Sequence, residues 1–436
     1  MKKKTILITY GYKKREFEYL SLLSGVLEAE GFTVMLKYVN FELYYDIYRY
    51  QPDILLLGQV NQAENIALAQ YAAKCGTHIV VLNCEGVYKD DGNVLRFGQS
   101  INDYVSLLLA WGLRHRTDAL KYSDIAEHKV IVSGTPKFDA YKKPFKSYFY
   151  SLPTYKGQLD SHKKTVCIAT SFGSADYTWE TLKKTPDNQK LGRALSEKRV
   201  NCQKKLRDHF IKLAHDLGKT KHYNIVFRIH PLEQPDYYLR HLDQSRVIFD
   251  NTTPAIQLFT TTDLLVHRTS TLATEAWMAG IHSVSYDPIN NEDNELSDLA
   301  TLEVMFKKSA PLQDHITKLL HHKKADPKKL QKSAYLYEWF GYKKTDHRLA
   351  SIKIAEALKK LKPKTKHSYS HRLVYVYYLL SFLAKTLGYS QVYQIIGLIR
   401  GKKYLTFMSE NYQDSSETNR KKKFYRQLFT SLEALH

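Results

Sequence analysis

Residues 263–288 read DLLVHRTSTLATEAWMAGIHSVSYDP, and this stretch decides the fold class. A short apolar run, Leu264–Val266, leads into polar and hydroxyl residues, then into a short helical segment that stops at Gly280, and then into a second apolar run. Short runs rich in Val, Ile and Leu indicate buried strands, and glycine commonly ends a helix. The stretch therefore predicts a strand–helix–strand unit with both strands parallel in one sheet.

The same alternation runs through both halves of the chain. The first half is predicted to contain the strands Thr5–Tyr10, Phe32–Val39, Asp53–Gly58, His78–Asn83 and Lys129–Gly134. Helices are predicted at Arg15–Glu30 and Asn61–Lys74, with stops at Gly31 and Gly76. In the second half the predicted strands are Thr165–Ser171, Asn224–Ile229, Arg246–Asp250, Leu264–His267 and His282–Tyr286, and the predicted helices are Lys190–Leu217, Thr271–Ala279, 311–322, 327–339 and 346–361.

This pattern predicts an α/β fold of two Rossmann-like domains whose parallel sheets face a cleft. A chain of 436 residues is long enough for two domains and an extension. We expect an N-terminal domain at 1–142, a linker rich in aromatic residues and lysine at 143–163, a C-terminal domain at 164–362 and a basic, aromatic helical extension at 363–436.

The amino-acid composition argues against several classes of protein, including disulfide-rich, zinc-binding and membrane-spanning proteins. The four cysteines are widely spaced and form no CxxC pattern, which argues against disulfides and a zinc site and favours a reducing cytoplasm. The N-terminal MKKKTILITYGY has too short an apolar stretch for a signal peptide, and no segment has the roughly 18 to 20 apolar residues of a membrane span. The net charge of +21 suits nucleic acid, an anionic membrane surface or phosphorylated substrates.

Two strand ends in the second half carry candidate phosphate contacts. In FRIHPLEQPDYY, residues 227–238, a strand ends at Arg228 and His230, where ligands bind in open α/β sheets. In the opening stretch, Ser270 and Thr271 start a helix, whose N-terminus favours anions, and Glu275 lies one turn further on, where it could bind a ribose. Alternatively, His230 caps a strand, Ser270 or Thr271 is an ordinary helix cap, and Glu275 is surface charge.

The first half offers a carboxylate and a basic residue. The sequence LNCEGVYKDDG, residues 82–92, delivers Glu85 to the end of a strand, where it could act as general base or nucleophile. Asp90 and Asp91 compete for this role, although their DDG context is typical of an exposed turn. In VSGTPKFDAY, residues 132–141, Lys137 follows another strand and could line the cleft, as could Arg268 in the second half.

In this order the motifs resemble those of bacterial surface carbohydrate biosynthesis proteins, a GT-B-like group related to capsule Kdo transferases, polysialyltransferases and teichoic-acid glycerophosphotransferases. The matching segments are KKREFEYLSLLSGVLEAEGFTV, CEG at 84–86, GTPKFD at 134–139, RIHP at 228–231 and STLATEAWMAG at 270–280. The resemblance implies that Glu85 is catalytic and that His230, Ser270 and Thr271 contact a cytidine nucleotide's phosphate. This sequence departs from the family pattern at three positions. Cys84 replaces an acidic residue, Thr135 replaces Asn, and Lys137 replaces Arg.

The resemblance implies a glycosyltransferase of capsule or lipopolysaccharide biosynthesis that uses a nucleotide-sugar donor, with a CMP-activated ulosonic acid such as Kdo expected first. The acceptor would be a glycan, free or lipid-linked. No P-loop, GxGxxG or HExxH sequence is present, and no DxD sequence stands in a strand-end context, so we expect metal-independent chemistry and no cofactor beyond the donor. The alternatives are a CDP-polyol phosphotransferase or a nucleotide-sugar epimerase on the same scaffold, a nucleic-acid-binding protein and a non-enzymatic scaffold.

The extension suggests where the protein works. The apolar, aromatic run Leu373–Ala384 is too short to span a bilayer, and it is followed by Lys402, Lys403 and the basic cluster Arg420–Arg426. This combination favours peripheral binding to anionic lipid on the inner face of the cell membrane. Alternatively, the run Leu373–Ala384 is a helix that packs against the domains, and the lysines are solvated. Nucleic acid is not an expected partner, because no RRM, KH or zinc signature is present.

Overall fold

The computed structural model describes residues 3–40, 42–84, 100–152, 154–155, 157–184, 189, 191–231, 233–268, 270–289, 299–321, 326, 328–367 and 415–433. The chain divides into two compact units. The first unit comprises Met1–Lys146 and Tyr335–His436, and the second comprises Ser147–Ala334.

The first unit is built on a six-stranded parallel sheet in the order β2-β1-β3-β4-β5-β6. Its strands are β1 Thr5–Tyr10, β2 Thr33–Tyr38, β3 Ile54–Leu57, β4 His78–Leu82, β5 Val105–Ala110 and β6 Val130–Val132. Ile6, Leu7 and Ile8 have no exposed surface, as expected for a strand that is covered on both faces. The order of the strands reverses between β1 and β3, so the switch point of this sheet lies there.

The second unit has its own six-stranded parallel sheet, in the order β12-β11-β10-β7-β8-β9. Its strands are β7 Lys164–Ala169, β8 Tyr223–Arg228, β9 Ile248–Asp250, β10 Leu264–His267, β11 His282–Tyr286 and β12 Met305–Phe306. The order of strands reverses between β7 and β10, which pair from Val166↔Leu264 to Ala169↔His267. In sheets of this kind, ligands bind beyond the carboxyl ends of the two strands at the switch point.

Helices connect the strands, as parallel pairing requires. They are α1 Glu18–Ala29, α2 Leu43–Tyr50, α3 Ala63–Lys74, α4 Leu113–Tyr122, α5 Phe145–Ser151, α6 Trp179–Leu182, α7 Arg193–Thr220, α8 Pro235–His241, α9 Ala255–Thr261, α10 Leu272–Ala279, α11 Ser309–His321, α12 Lys329–Phe340, α13 Ala350–Lys359 and α14 Ser415–Glu433. Gly31, Gly76 and Gly280 have φ of 94°, 79° and 84°, which glycine adopts at the ends of helices. The predicted fold class of two Rossmann-like α/β domains is confirmed.

Some elements were not predicted. Strand β5 lies in the mainly apolar stretch Tyr104–Trp111, whose length is typical of a buried strand, so the local signal for this strand was present in the sequence. Strand β12 has only two residues, too few for a periodic pattern. Helices α2 and α4 were also missed; both are rich in tyrosine, arginine or histidine rather than in aliphatic residues.

The boundaries of the two units differ from the expected domain ranges, because the chain returns to the first unit at Tyr335. Residues 335–362, expected in the domain 164–362, belong to the first unit, and the boundary after Lys146 falls inside the expected linker. Asp139 explains the return, because its carboxylate accepts the backbone N–H groups of Ala350 (2.7 Å) and Ser351 (2.9 Å) at the start of α13. Phe138 packs edge-on against Phe340 at 4.9 Å between ring centres. The GTPKFD segment thus anchors α12 and α13 to the first unit.

Helix α14 packs against α1 in the first unit. The two helices cross at Gly25, where an added Cβ would lie 2.7 Å from the Cβ of Tyr425. The buried Lys422 donates to the carbonyl of Val34 (2.7 Å) and to Glu28 (2.9 Å). Part of the basic cluster Arg420–Arg426 therefore stabilises the fold. The run Leu373–Ala384 and Lys402 and Lys403 lie outside the described residues.

Candidate functional site

The candidate site of the second unit lies at the carboxyl ends of β7 and β10. Ser171 follows β7, and its Oγ donates to the carbonyl oxygen of Arg268, which follows β10, over 3.1 Å. This bond joins the two strands where their order in the sheet reverses. His230, Ser270 and Thr271 lie in segments that follow β8 and β10, so the sheet brings the predicted donor contacts to one edge.

His230 is held by its backbone next to a buried carboxylate. Its N–H donates to Oγ1 of Thr170 (3.2 Å), and that hydroxyl donates to Glu233 (2.9 Å). Glu233 also accepts the backbone N–H of Phe172 at 2.6 Å and the hydroxyl of Tyr238. Burial raises the pKa of Glu233, although these donors oppose the shift. Glu233 was not singled out from the sequence, and its position three residues after His230 in a polar strand-end loop was the available signal.

Arg228 forms an ion pair within the sheet. It lies opposite Asp250 of the neighbouring strand β9, and its guanidinium donates to that carboxylate. Burial alone would raise the pKa of Asp250, but Arg228 and the backbone N–H of Thr253 outweigh it and the pKa lies below its usual value. The charge of Arg228 is therefore largely neutralised by a partner of its own, which its sequence context did not reveal.

Arg268 is likewise paired. Its Nε donates to Asp287 at 3.0 Å and its Nη2 to the second carboxylate oxygen at 3.4 Å, and both side chains are nearly buried. Asp287 directly follows β11, so the pair ties the ends of β10 and β11 together. A fork-like pair of this kind fixes the orientation of the guanidinium.

Helix α10 begins beside these pairs. The Oγ of Ser270 accepts the N–H of Leu272 at 3.2 Å, which caps the helix start. Thr271 is exposed and its carbonyl accepts the hydroxyl of Thr274 at 2.7 Å. Glu275 is 5% exposed, so it is a buried group of the first turn rather than surface charge. Ser270 and Thr271 thus lie at the predicted helix start. Thr271 occupies the N-cap position and makes no side-chain capping hydrogen bond, and Ser270, one residue earlier, accepts the first N–H of the helix.

In the first unit, a buried histidine of the first turn of α4 contacts the residue that follows β5. His115 is fully buried, its Nδ1 accepts the backbone N–H of Trp111 (3.1 Å), and its Nε2 lies 3.4 Å from the amide of Asn83. Burial lowers the pKa of His115 to about 3, so the ring is neutral. Asn83 follows β4 and precedes Cys84, which is the last described residue before the predicted catalytic segment.

The remaining predicted residues divide as follows. Glu85, Asp90 and Asp91 lie outside the described residues. Lys137 lies in a 3₁₀ turn at Pro136–Tyr141, where its Nζ is 5.8 Å from the centre of the Phe138 ring. Within the described ranges, no group of three or more His, Cys, Asp and Glu side chains is arranged to hold a metal ion. Among the described helices, none has the length and hydropathy needed to cross a membrane.

No protein-family model and no curated protein sequence matches the chain. Solved structures do match. The UDP-GlcNAc 2-epimerase of Methanocaldococcus jannaschii, in complex with UDP-GlcNAc and UDP, aligns with a TM-score of 0.51 and 13% identity over 81% of this chain and 99% of that chain. A further UDP-N-acetylglucosamine 2-epimerase gives a TM-score of 0.52 at 11% identity, over 85% of this chain and 100% of that chain.

The wall teichoic acid polymerase TagF, in a structure obtained with CDPG, aligns with a TM-score of 0.53 and 15% identity over 83% of this chain and 89% of that chain. At these identities the similarity concerns the fold. The chain therefore has a GT-B-like α/β fold with a helical C-terminal region, the fold class that its sequence predicts.

Proposed function

We propose that this protein is a metal-independent glycosyltransferase of bacterial surface polysaccharide biosynthesis. It would transfer a sugar from a nucleotide donor, in the first instance a CMP-activated ulosonic acid such as Kdo, to a glycan acceptor. The observation that supports the proposal is that the segments carrying His230, Ser270 and Thr271 follow β8 and β10 at the carboxyl edge of the second sheet, beside the switch point between β7 and β10, where nucleotides bind in such folds. The proteins of like fold include ones solved with UDP, UDP-GlcNAc and CDPG, which supports a nucleotide-sugar donor.

Each residue has a role in this proposal. His230 would donate a hydrogen bond to the donor phosphate, and Ser270 and Thr271 would bind it at the start of α10. Glu275, one turn further on, would accept hydrogen bonds from the ribose. Arg228 and Arg268 are committed to Asp250 and Asp287. We propose that those two arginines hold the strand ends in place. The positive charge that their carboxylate partners do not neutralise would also attract the donor phosphate.

Glu85 is assigned as the general base or the nucleophile. It is the first carboxylate after β4, and a glycosyl transfer requires one at the acceptor hydroxyl or at the sugar carbon. Lys137 of the first unit would neutralise negative charge on the donor or the acceptor. The buried His115 and Asn83 would hold the end of β4 from which the catalytic segment starts.

A nucleotide-sugar epimerase is the second candidate, favoured by the likeness in fold to UDP-GlcNAc 2-epimerases. The two candidates differ in their need for an acceptor. The purified chain is incubated with CMP-Kdo or UDP-GlcNAc, with and without acceptor glycan, and products are analysed by mass spectrometry. Transfer that requires the acceptor supports the transferase. Isomerisation or hydrolysis without acceptor would overturn it in favour of the epimerase.

The acceptor is proposed to be lipid-linked, which places the enzyme at the inner face of the cell membrane. Helix α14 supports this, because Arg420, Lys423 and Arg426 are exposed and form no ion pair with any described residue, and Phe424 is 36% exposed beside them. Basic residues near anionic lipid contribute about 1 kcal/mol each, and an exposed aromatic ring adds contact at the interface.

A further inference from the structure

His267, at the carboxyl end of β10, is a buried neutral histidine with one defined tautomer. Its ring is 0% exposed, and its Nδ1 accepts the backbone N–H of Ser270 at 3.1 Å. Burial, assisted by the charge of Lys332, lowers the pKa of His267 to about 3. Because Nδ1 is an acceptor in a neutral ring, the ring proton lies on Nε2.

The carboxylate of Glu303 faces that proton. Its Oε2 lies 4.0 Å from Nε2 of His267, and neither atom has a hydrogen-bond partner within the described part of the chain. The separation exceeds by about 0.8 Å the ~3.2 Å upper limit of an N–H···O hydrogen bond. A movement of the carboxylate by about that distance would form the bond and would leave no buried donor unpaired, which is the usual state of buried polar groups.

The other oxygen of Glu303 binds the helix that follows. Its Oε1 accepts the indole N–H of Trp277 at 2.8 Å and the hydroxyl of Ser283 at 2.6 Å. Trp277 belongs to α10, so one buried carboxylate contacts both the strand end before Ser270 and the helix after it. Lys332, 3.6 Å away, offsets the buried negative charge.

We propose that Glu303 is a positioning residue for donor binding: through His267 and Trp277 it fixes the backbone of Ser270 and the first turn of α10 in the conformation that receives the donor phosphate. The inference rests on the proposed function, because it assigns a role at the same site. Glu303 acts through its neighbours, and a buried carboxylate of this kind raises affinity by preorganising the groups that touch the ligand.

A titration distinguishes this role from a merely structural one. Burial raises the pKa of Glu303 to about 7, against the opposing effect of Lys332. The charged and titratable groups around it are His267 from β10 and Lys332 and Asp326 at the start of α12, with His282 acting on Asp326. As pH falls through about 7 the carboxylate takes up a proton and becomes a weaker acceptor for the Nε2–H. Nucleotide affinity should therefore fall in the same range.

The experiment measures Kd for CMP, CDP and UDP by calorimetry on the full chain, on either side of pH 7. We expect Glu303→Gln to raise Kd roughly tenfold, the effect of about one lost hydrogen bond to a charged group, and to remove the part of the pH dependence that the wild type shows near neutrality. Trp277→Phe, which removes only the indole donor, should raise Kd by a smaller factor. Asp139→Asn, a buried carboxylate of the first unit, is the matched control and should leave Kd unchanged.

Unchanged Kd and pH dependence in both Glu303→Gln and Trp277→Phe would overturn the inference while leaving the proposed function intact. If Glu303→Gln fails to fold, the Kd of Trp277→Phe alone tests the inference. A wild-type chain that binds none of the three nucleotides would instead overturn the proposed function, and the inference with it.

Discussion

Among the described residues, each unit has one fully buried histidine near the carboxyl edge of its sheet, His115 in the first and His267 in the second. Both rings accept a backbone N–H at Nδ1 over 3.1 Å, and burial lowers the pKa of each to about 3. The difference is on the far side of the ring, where His115 meets the amide of Asn83 and His267 faces the carboxylate of Glu303. An amide has no charge to titrate, whereas the carboxylate does.

The proposed function assigns different roles to the two edges. In the second unit, carboxylates lie behind the strand ends at Glu233, Asp250, Asp287 and Glu303, and each holds a backbone or cationic group in place. Backbone and cationic groups that are held in place in this way favour preorganised binding of a ligand. In the first unit the ends of β4 and β5 are held by the neutral side chains of Asn83 and His115, and β4 leads into the segment that contains Glu85. Carboxylates hold backbone N–H groups after β1 and β6, at Glu16 and Asp139. We therefore expect binding at the second edge and chemistry at the first.

The largest effect is expected at the second edge. His230→Ala should abolish transfer, with a loss of roughly 100-fold or more, because the donor phosphate loses its hydrogen-bond donor at the strand end. Steady-state transfer assays check this, with circular dichroism to confirm folding. His241→Ala is the control, since this exposed histidine of α8 stacks on Tyr237 and should leave activity unchanged. Full activity in the folded His230 variant would remove the assignment of binding to this edge.

A comparable loss is expected at the first edge, but in a different kinetic constant. Glu85→Gln keeps the shape of the side chain and removes its charge, so turnover should be lost while the Kd of the nucleotide is retained. Calorimetry and transfer assays on the same preparation test this. Asp103→Asn, an exposed carboxylate of the first unit, serves as the control. Loss of nucleotide binding and folding together would mark Glu85 as structural and make Asp90 and Asp91 the next candidates.

A moderate effect on stability is expected from the first unit alone. Asp139→Asn leaves three N–H and O–H donors from Ala350 and Ser351 facing an amide, which should lower the free energy of unfolding by about 1–3 kcal/mol. Urea denaturation measures it, and Ser351→Ala, which removes only one donor, should cost less. An unchanged urea midpoint for Asp139→Asn would contradict the role of this residue in anchoring α13.

The two histidines predict a matched effect of pH. An unfolded histidine titrates near 6.5, whereas His115 and His267 titrate near 3 when folded, so the unfolded state binds more protons between these values. Their contribution to stability is present above about pH 6.5 and is lost as pH falls towards 3. The free-energy difference between wild type and His115→Asn should therefore shrink with acidification, and likewise for His267→Asn. A difference that stays constant with pH would show that burial does not lower the pKa of the folded ring below its unfolded value.

The smallest effect concerns the surface of the first unit. Neutralising Arg420, Lys423 and Arg426 of α14 to Gln should weaken flotation with anionic liposomes at low salt, by about 1 kcal/mol per residue near the surface. Transfer to a soluble acceptor should be unaffected, because these side chains lie on the exposed face of α14. A chain truncated after Lys366 tests the whole extension. Equal flotation of all versions, or no flotation on anionic liposomes, would remove the membrane from the proposal.

The sequence was sufficient for the elements whose signal is local. The strands β1, β10 and β11 match their predicted bounds of Thr5–Tyr10, Leu264–His267 and His282–Tyr286, because each is an apolar run bounded by turn or polar residues. The helix-ending glycines and the parallel α/β class follow from the same local chemistry. The segments that carry His230, Ser270 and Thr271 could be placed at one sheet edge, because the carboxyl ends of parallel strands share an edge.

Tertiary structure decided what depends on partners distant in the chain. Nothing near Arg228 or Arg268 in the sequence indicates that Asp250 and Asp287 pair with them, since these contacts depend on strand order. Asp139 draws α13 back to the first unit across more than 200 residues of chain. Burial, which turns His267 and Glu303 into a neutral ring and a carboxylate with a raised pKa, is a property of packing. Local pattern fixes the elements, whereas desolvation and pairing exist only once those elements are assembled.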